Sequence, residues 1–196
     1  MFRGNKPVLI LPAILAIIMI LGGYHFLQGS ETITNEELQD VMEFELDYTQ
    51  TEKGIKLTGE WDWTIMPQEG LYGEDYIGIV VMDQETGVPR TDVDLQGSLE
   101  LLYAGQPIEQ TDGTTVDNGL IFSFSNKLVE HESFGNIGQF EVLFDGEGID
   151  KEDIIVTLLH TWTEHAPLDK TDALLVEPTF IGAANVPYWT VEKRLQ

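Results

Sequence analysis

Apolar and polar positions along this chain follow two regimes. Val8 to Leu27 is one unbroken apolar run of twenty residues with no carboxylate, Lys or Arg. As a helix rising about 1.5 Å per residue, it spans the hydrocarbon core of a bilayer. Arg3 and Lys6 precede it, and the acidic residues begin only at Glu31. That asymmetry predicts an N-terminus in the cytoplasm and a C-terminal region outside. The run is longer than the apolar centre of a cleaved signal peptide, and no A-x-A-like site follows it, so an uncleaved anchor is expected. Gly22 and Gly23 do not make a G-x-x-x-G pair, which gives no basis for dimerisation through this helix.

Beyond the run the period changes. Thr34-Asn35-Glu36-Glu37 fits a capping box and predicts a brief helix over about Asn35 to Val41. From there the chain alternates. Met42, Phe44, Leu46 and Tyr48 are apolar between Glu43, Glu45, Asp47 and Thr49. Ile55, Leu57, Gly59, Trp61, Trp63 and Ile65 share the next face, after a turn at Lys53-Gly54. Strict alternation marks half-buried strands. The Trp61/Trp63 pair is read as core packing, with an aromatic binding platform as its alternative. Tyr76 to Met82 is nearly all apolar and suits a strand covered on both sides. Further strands are expected at Leu99–Tyr103, Leu120–Phe124, Phe140–Phe144 and Ile154–Trp162, and a last short one at Ala173–Val176. Gln68–Asp75 and Gln106–Asn118 are rich in turn formers and are the expected contact loops.

The predicted fold class is all-β, with an N-terminal single transmembrane helix followed by an immunoglobulin-like antiparallel β-sandwich of about seven or eight strands. The expected organisation is a cytoplasmic tail (1–7), a signal-anchor helix (8–27) and a stalk with a short helix (28–40). An extracytoplasmic β-sandwich (41–182) and a C-terminal extension (183–196) complete it. A small closed barrel is the alternative architecture.

Charge sharpens this picture. All 34 carboxylates and eight of the ten Lys and Arg residues lie beyond residue 30. So acidic a surface repels nucleic acid and anionic head groups, and attracts cations and basic partners within about a Debye length. The chain has no Cys, which excludes disulfides, thiol catalysis and thiolate metal sites.

Candidate chemistry is sparse. His160-Thr-Trp-Thr-Glu164-His165 is one residue too long for the H-x-x-E-H zinc motif. On a strand, His160 and His165 would point to opposite faces. His160 is therefore expected as a hydrogen-bonded core or edge residue beside Trp162. The metal candidates are Asp83, Glu85, Asp92 and Asp94, acidic turn residues able to converge on calcium if their segments adjoin. No other cofactor is expected. No G-x-S-x-G, S-x-x-K, phosphate loop or dinucleotide fingerprint occurs beyond the apolar run, so neither nucleotide nor nucleic acid is an expected partner. The residues favour a non-catalytic binding or assembly module of a bacterial envelope, contacting the membrane through residues 8–27 and an envelope protein or wall ligand through the outer domain. An envelope hydrolase using carboxylates or a loop-built metal site is one alternative. A divalent-cation or pH sensor is another.

Overall fold

A computed structural model describes residues 6–28, 33–51 and 54–195 of the chain. It divides into two compact units, residues 1–32 and 33–196. The first contains one helix, α1 (Lys6–Gln28), with Pro12 inside it. Ile14, Leu15, Ile17 to Leu21 and Tyr24 are all more than half exposed within it. Among the described residues no helix is long and apolar enough to cross a membrane. Arg3, residues 29–32 of the stalk and Lys53 lie outside the described residues.

The second unit is a β-sandwich. The Thr34–Glu37 box forms as predicted: Glu37 N–H donates to Thr34 Oγ1 (3.3 Å), and Thr34 N–H donates to Glu37 Oε2 (2.9 Å). The segment then makes only a 3₁₀ turn, Leu38–Asp40, in place of a longer helix. Twelve strands follow among the described residues, more than the seven or eight expected. They are β1 (Glu43–Thr51), β2 (Gly54–Asp62), β3 (Glu74–Val81), β4 (Asp94–Tyr103), β5 (Gln106–Asp112) and β6 (Thr114–Val116). The others are β7 (Gly119–Ser125), β8 (Lys127–Val129), β9 (Glu132–Phe134), β10 (Ile137–Asp145), β11 (Ile154–Thr161) and β12 (Tyr188–Arg194). One sheet runs β1-β2-β10-β4-β5, the other β12-β11-β3-β7-β6, and β8-β9 is a separate hairpin. Every pairing is antiparallel.

The inward faces carry the alternation legible in the sequence. Phe44, Ile55, Leu57, Trp61, Leu99, Phe140, Val142 and Phe144 from the first sheet meet Ile77, Ile79, Phe122, Phe124, Val156 and Leu158 from the second. Both Trp61 and Trp63 are 2% exposed, so the pair is core. Trp61 lies 5.0 Å from the Phe124 ring, and its Nε1–H donates to Gly135 O at 2.7 Å. Gly59 leaves room for the Phe140 ring, whose Cζ would stand 2.2 Å from a Cβ at that position.

β3 and β11 are buried on both faces because residues 166–183 fold over the outside of the second sheet. Leu168, Ala173, Leu175 and Phe180 pack there with Tyr76, Val80, Ile121 and Leu159. Ala173–Val176 thus belongs to this covering loop rather than to a strand. Three further corrections concern boundaries. Trp63 and Ile65 lie beyond the end of β2, and Ile65 is 36% exposed. Gln106–Asn118, expected as a loop, is mostly β5 and β6, one strand path that passes at Gly113 from one sheet's edge to the other's. The expected C-terminal extension supplies β12, an edge strand of the second sheet.

Candidate functional site

Three polar assemblies stand out in the sandwich. The first is a buried centre where Ile33–Asp40, β3, β11 and β12 meet. His160, near the end of β11, and Asp75, near the start of β3, are both fully buried. Their side chains are 2.8 Å apart, Nδ1 to Oδ2. Asp75 Oδ1 also accepts from Thr161 N–H (2.9 Å) and from Asn126 Nδ2 (3.1 Å).

On the other side of the ring, Asn35 Oδ1 faces His160 Nε2 at 3.1 Å. Its orientation is fixed because Asn35 Nδ2 donates to Glu69 Oε2 and Gly70 O, both at 3.2 Å. Asn126 Nδ2 also stands 3.4 Å from His160 Nδ1, so both ring nitrogens have polar neighbours. Trp63, Trp162 and Trp189 surround the imidazole, with ring centroids 5.6, 5.8 and 4.8 Å away. Trp189 closes the centre by donating Nε1–H to Asn35 O at 2.7 Å.

His160 is thus the hydrogen-bonded core residue expected from its place beside Trp162. His165 lies in the following loop, with Nε2 2.8 Å from Thr161 Oγ1 and Nδ1 2.7 Å from Ala166 O. The two histidines do not converge. The expected contact loop Gln68–Asp75 is drawn into this centre through Glu69, Gly70 and Asp75, leaving Tyr72 59% exposed. Nearby, Tyr76 is buried, its hydroxyl donating to Glu74 Oε2 (3.0 Å) and accepting from Leu168 N–H (3.2 Å). Burial pushes its phenol far above the ordinary tyrosine range.

The second assembly holds the metal candidates. Asp83, Glu85 and Asp92 line one hollow of about 520 Å³ together with Asp150 and Asp153. Asp94 lines a neighbouring hollow with Asp92. The cation in the first hollow is Arg90. Its guanidinium makes a two-pronged contact with Asp92 (2.9 Å on each arm) and donates to Gly148 O and Glu147 O, both at 3.0 Å. Hydrogen bonds from Arg90 hold the Asp92 carboxyl below the usual range. Asp83 is likewise lowered, first by the Thr86 N–H that its Oδ1 accepts at 2.8 Å. These carboxylates brace turns, and among the described residues no group of three or more His, Asp or Glu side chains is arranged to hold a metal.

The third assembly is the outward face of the first sheet. Glu43 stands directly opposite Asp62, and Glu45 opposite Glu60. With Trp61, Leu102 and Gln139 these four carboxylates line a hollow of about 260 Å³. Like charges directly across a ladder are destabilising. Among the described residues none of the four forms an ion pair. The face's Lys56 is engaged one row away with Glu141. Asp62 Oδ1 is buried without a hydrogen-bond partner.

Comparison with protein-family models gives no match, and comparison with curated proteins and with solved structures gives none either.

Sequence reasoning singled out His160 but missed Asp75, Asn35 and Asn126, its partners and theirs. The available signal was Asp75 itself, a carboxylate leading directly into an all-apolar strand, which burial must pair. The acidic ladder was visible as alternation, but its lack of counter-ions needs the register.

Proposed function

We propose that the chain is a membrane-anchored, non-catalytic binding or assembly module of the cell envelope, displaying an acidic β-sandwich of immunoglobulin type outside the cytoplasmic membrane. The anchor rests on sequence: the uncharged run Val8–Leu27, the basic residues before it and the acid after it. The strand order supports the immunoglobulin type. An immunoglobulin constant-type domain has strands A, B, E and D in one sheet and C, F and G in the other. Assigning A, B, C and D to β1, β2, β3 and β4, and E, F and G to β10, β11 and β12, reproduces both memberships. In that scheme β5 to β9 form one insertion between D and E that widens both sheets.

The observation that carries the binding role is the uncompensated ladder Glu43–Asp62 and Glu45–Glu60 on an open sheet face. A face kept only for solubility gains nothing from setting like charges opposite each other, whereas a basic partner neutralises them. The hydrolase alternative needs an acid–base group within reach of a substrate. His160 and Asp75 have no exposed surface, which counts against it. The test is cross-linking and co-purification of the full chain from its own membrane at low and high salt. A partner retained by the wild type and lost from a Glu43→Lys, Glu45→Lys variant supports the reading. Equal retention by the two, or none by the wild type, overturns it.

A further inference from the structure

We infer that the outer edge of β1 over Glu43–Tyr48, outermost among the described strands of the first sheet, accepts an extended partner segment as a sixth strand, one with Lys or Arg at alternate positions and apolar residues between them. This rests on the binding-module reading and adds the place and the partner's chemistry.

β1 is the outermost strand of its sheet and pairs with β2 through nine residues in unbroken register. The other edges carry protection of the kinds that natural sheets use. β5 contains Pro107, and its register with β4 shifts between Leu101 and Leu102. β6 is three residues long. β12 carries Lys193 and Arg194. β1 has no proline, no bulge and no basic residue; its one guard is acid. Glu43, Glu45 and Asp47 all point outward and are exposed.

That guard is selective. A second copy of β1 would set carboxylates against carboxylates, so self-pairing is opposed. A strand carrying Lys or Arg in those positions would instead meet Glu43 and Glu45 and, behind them, Glu60 and Asp62. The inner side of the edge is different. Phe44 is buried and Tyr48 is 39% exposed. Residues 44–48 line a groove of about 500 Å³ with Lys193, Arg194 and Leu195 from the end of β12. Its lining mixes Glu45, Asp47 and the two cations with Phe44, Leu46, Tyr48 and Leu195; the apolar members meet a partner's apolar side chains, and the cations oppose basic ones. Since strand side chains alternate between faces, the two sides together specify basic–apolar alternation.

The test uses the full chain in non-ionic detergent, at physiological salt, with a labelled nine-residue peptide alternating lysine and valine. Three control peptides accompany it: one N-methylated at alternate backbone amides, one of the same composition with its lysines in a block, and one alternating glutamate and valine. Binding is read by fluorescence anisotropy, and its place by amide hydrogen exchange. The alternating lysine peptide binds and slows exchange in β1. N-methylation and block rearrangement each weaken it by about tenfold or more, because main-chain pairing and face alternation carry the recognition. The glutamate peptide does not bind. The Glu43→Gln, Glu45→Gln variant, which keeps side-chain shape, weakens binding to a similar degree without lowering the melting temperature. Equal binding of the N-methylated or block peptide overturns the inference, as does absence of binding by the lysine peptide at about 1 mM. Protection confined to other strands also overturns it, while leaving the broader binding role standing.

Discussion

At the scale of single residues, the sandwich is tied together by a hydrogen-bond network with no route to solvent. His160 lies between the Asp75 carboxylate and the Asn35 carboxamide oxygen, 2.8 and 3.1 Å away. The network joins the segment before β1 to β3, β11 and β12. Removing an acceptor from a buried network leaves its donors unsatisfied. Asp75→Asn, which puts an amide donor where a carboxyl oxygen accepts, is therefore expected to cost about 1–3 kcal/mol in denaturant unfolding. No measurable loss would show that the network does not hold these strands together. Tyr76 gives a pH dependence of determinate sign. Its phenol is raised in the folded protein by burial. Below about pH 10 both states hold the proton and its contribution is complete; above that the unfolded chain releases a proton the folded one keeps, and stability falls. Unfolding free energies between about pH 9 and pH 11 should fall more steeply for wild type than for Tyr76→Phe. Parallel curves would contradict the assignment. Of these groups the sequence revealed the Thr34–Glu37 box and the core character of His160, because both follow from local spacing. Asp75, Asn35 and Asn126 are brought together only by strand order, with partners up to 154 positions apart in the chain.

At the scale of elements, period-two alternation located β1, β2 and β10, each of which buries one regular set of side chains, while β7 and β11 stand out as largely apolar runs buried at consecutive positions. It failed where burial is irregular. β5 and β6 are largely exposed edge strands, so their sequence shows turn residues rather than alternation. β12 reads as a tail because only Trp189 among its residues is fully covered. Ala173–Val176 is apolar for a different reason, as part of the loop over the second sheet. Gly59 in β2 shows how closely the sheet fits its core. A Cβ there would meet Phe140 Cζ at 2.2 Å and Leu46 Cδ2 at 3.0 Å. Gly59→Val is expected to destabilise by about 1–3 kcal/mol through overpacking. Adding Phe140→Leu should recover part of that loss, a coupling that a double-mutant cycle measures. Additive costs would mean that the ring does not occupy the space.

At the scale of the whole molecule, charge and hydropathy divide the chain as its compact units do, near residue 32. An uncharged run and a charge asymmetry are one-dimensional signals, legible in a sequence, whereas an open sheet edge depends on which strands lie outermost. The proposed function requires display: a short N-terminus inside, the acidic sandwich outside. The natural chain has no Cys, so single cysteines report cleanly. The decisive measurement is labelling of intact cells with a membrane-impermeant maleimide, comparing Gln50→Cys, at an exposed site on β1, with Asn5→Cys. The account predicts that the cysteine at position 50 is labelled on intact cells and the one at position 5 only after lysis. Protection of position 50 until lysis would contradict it.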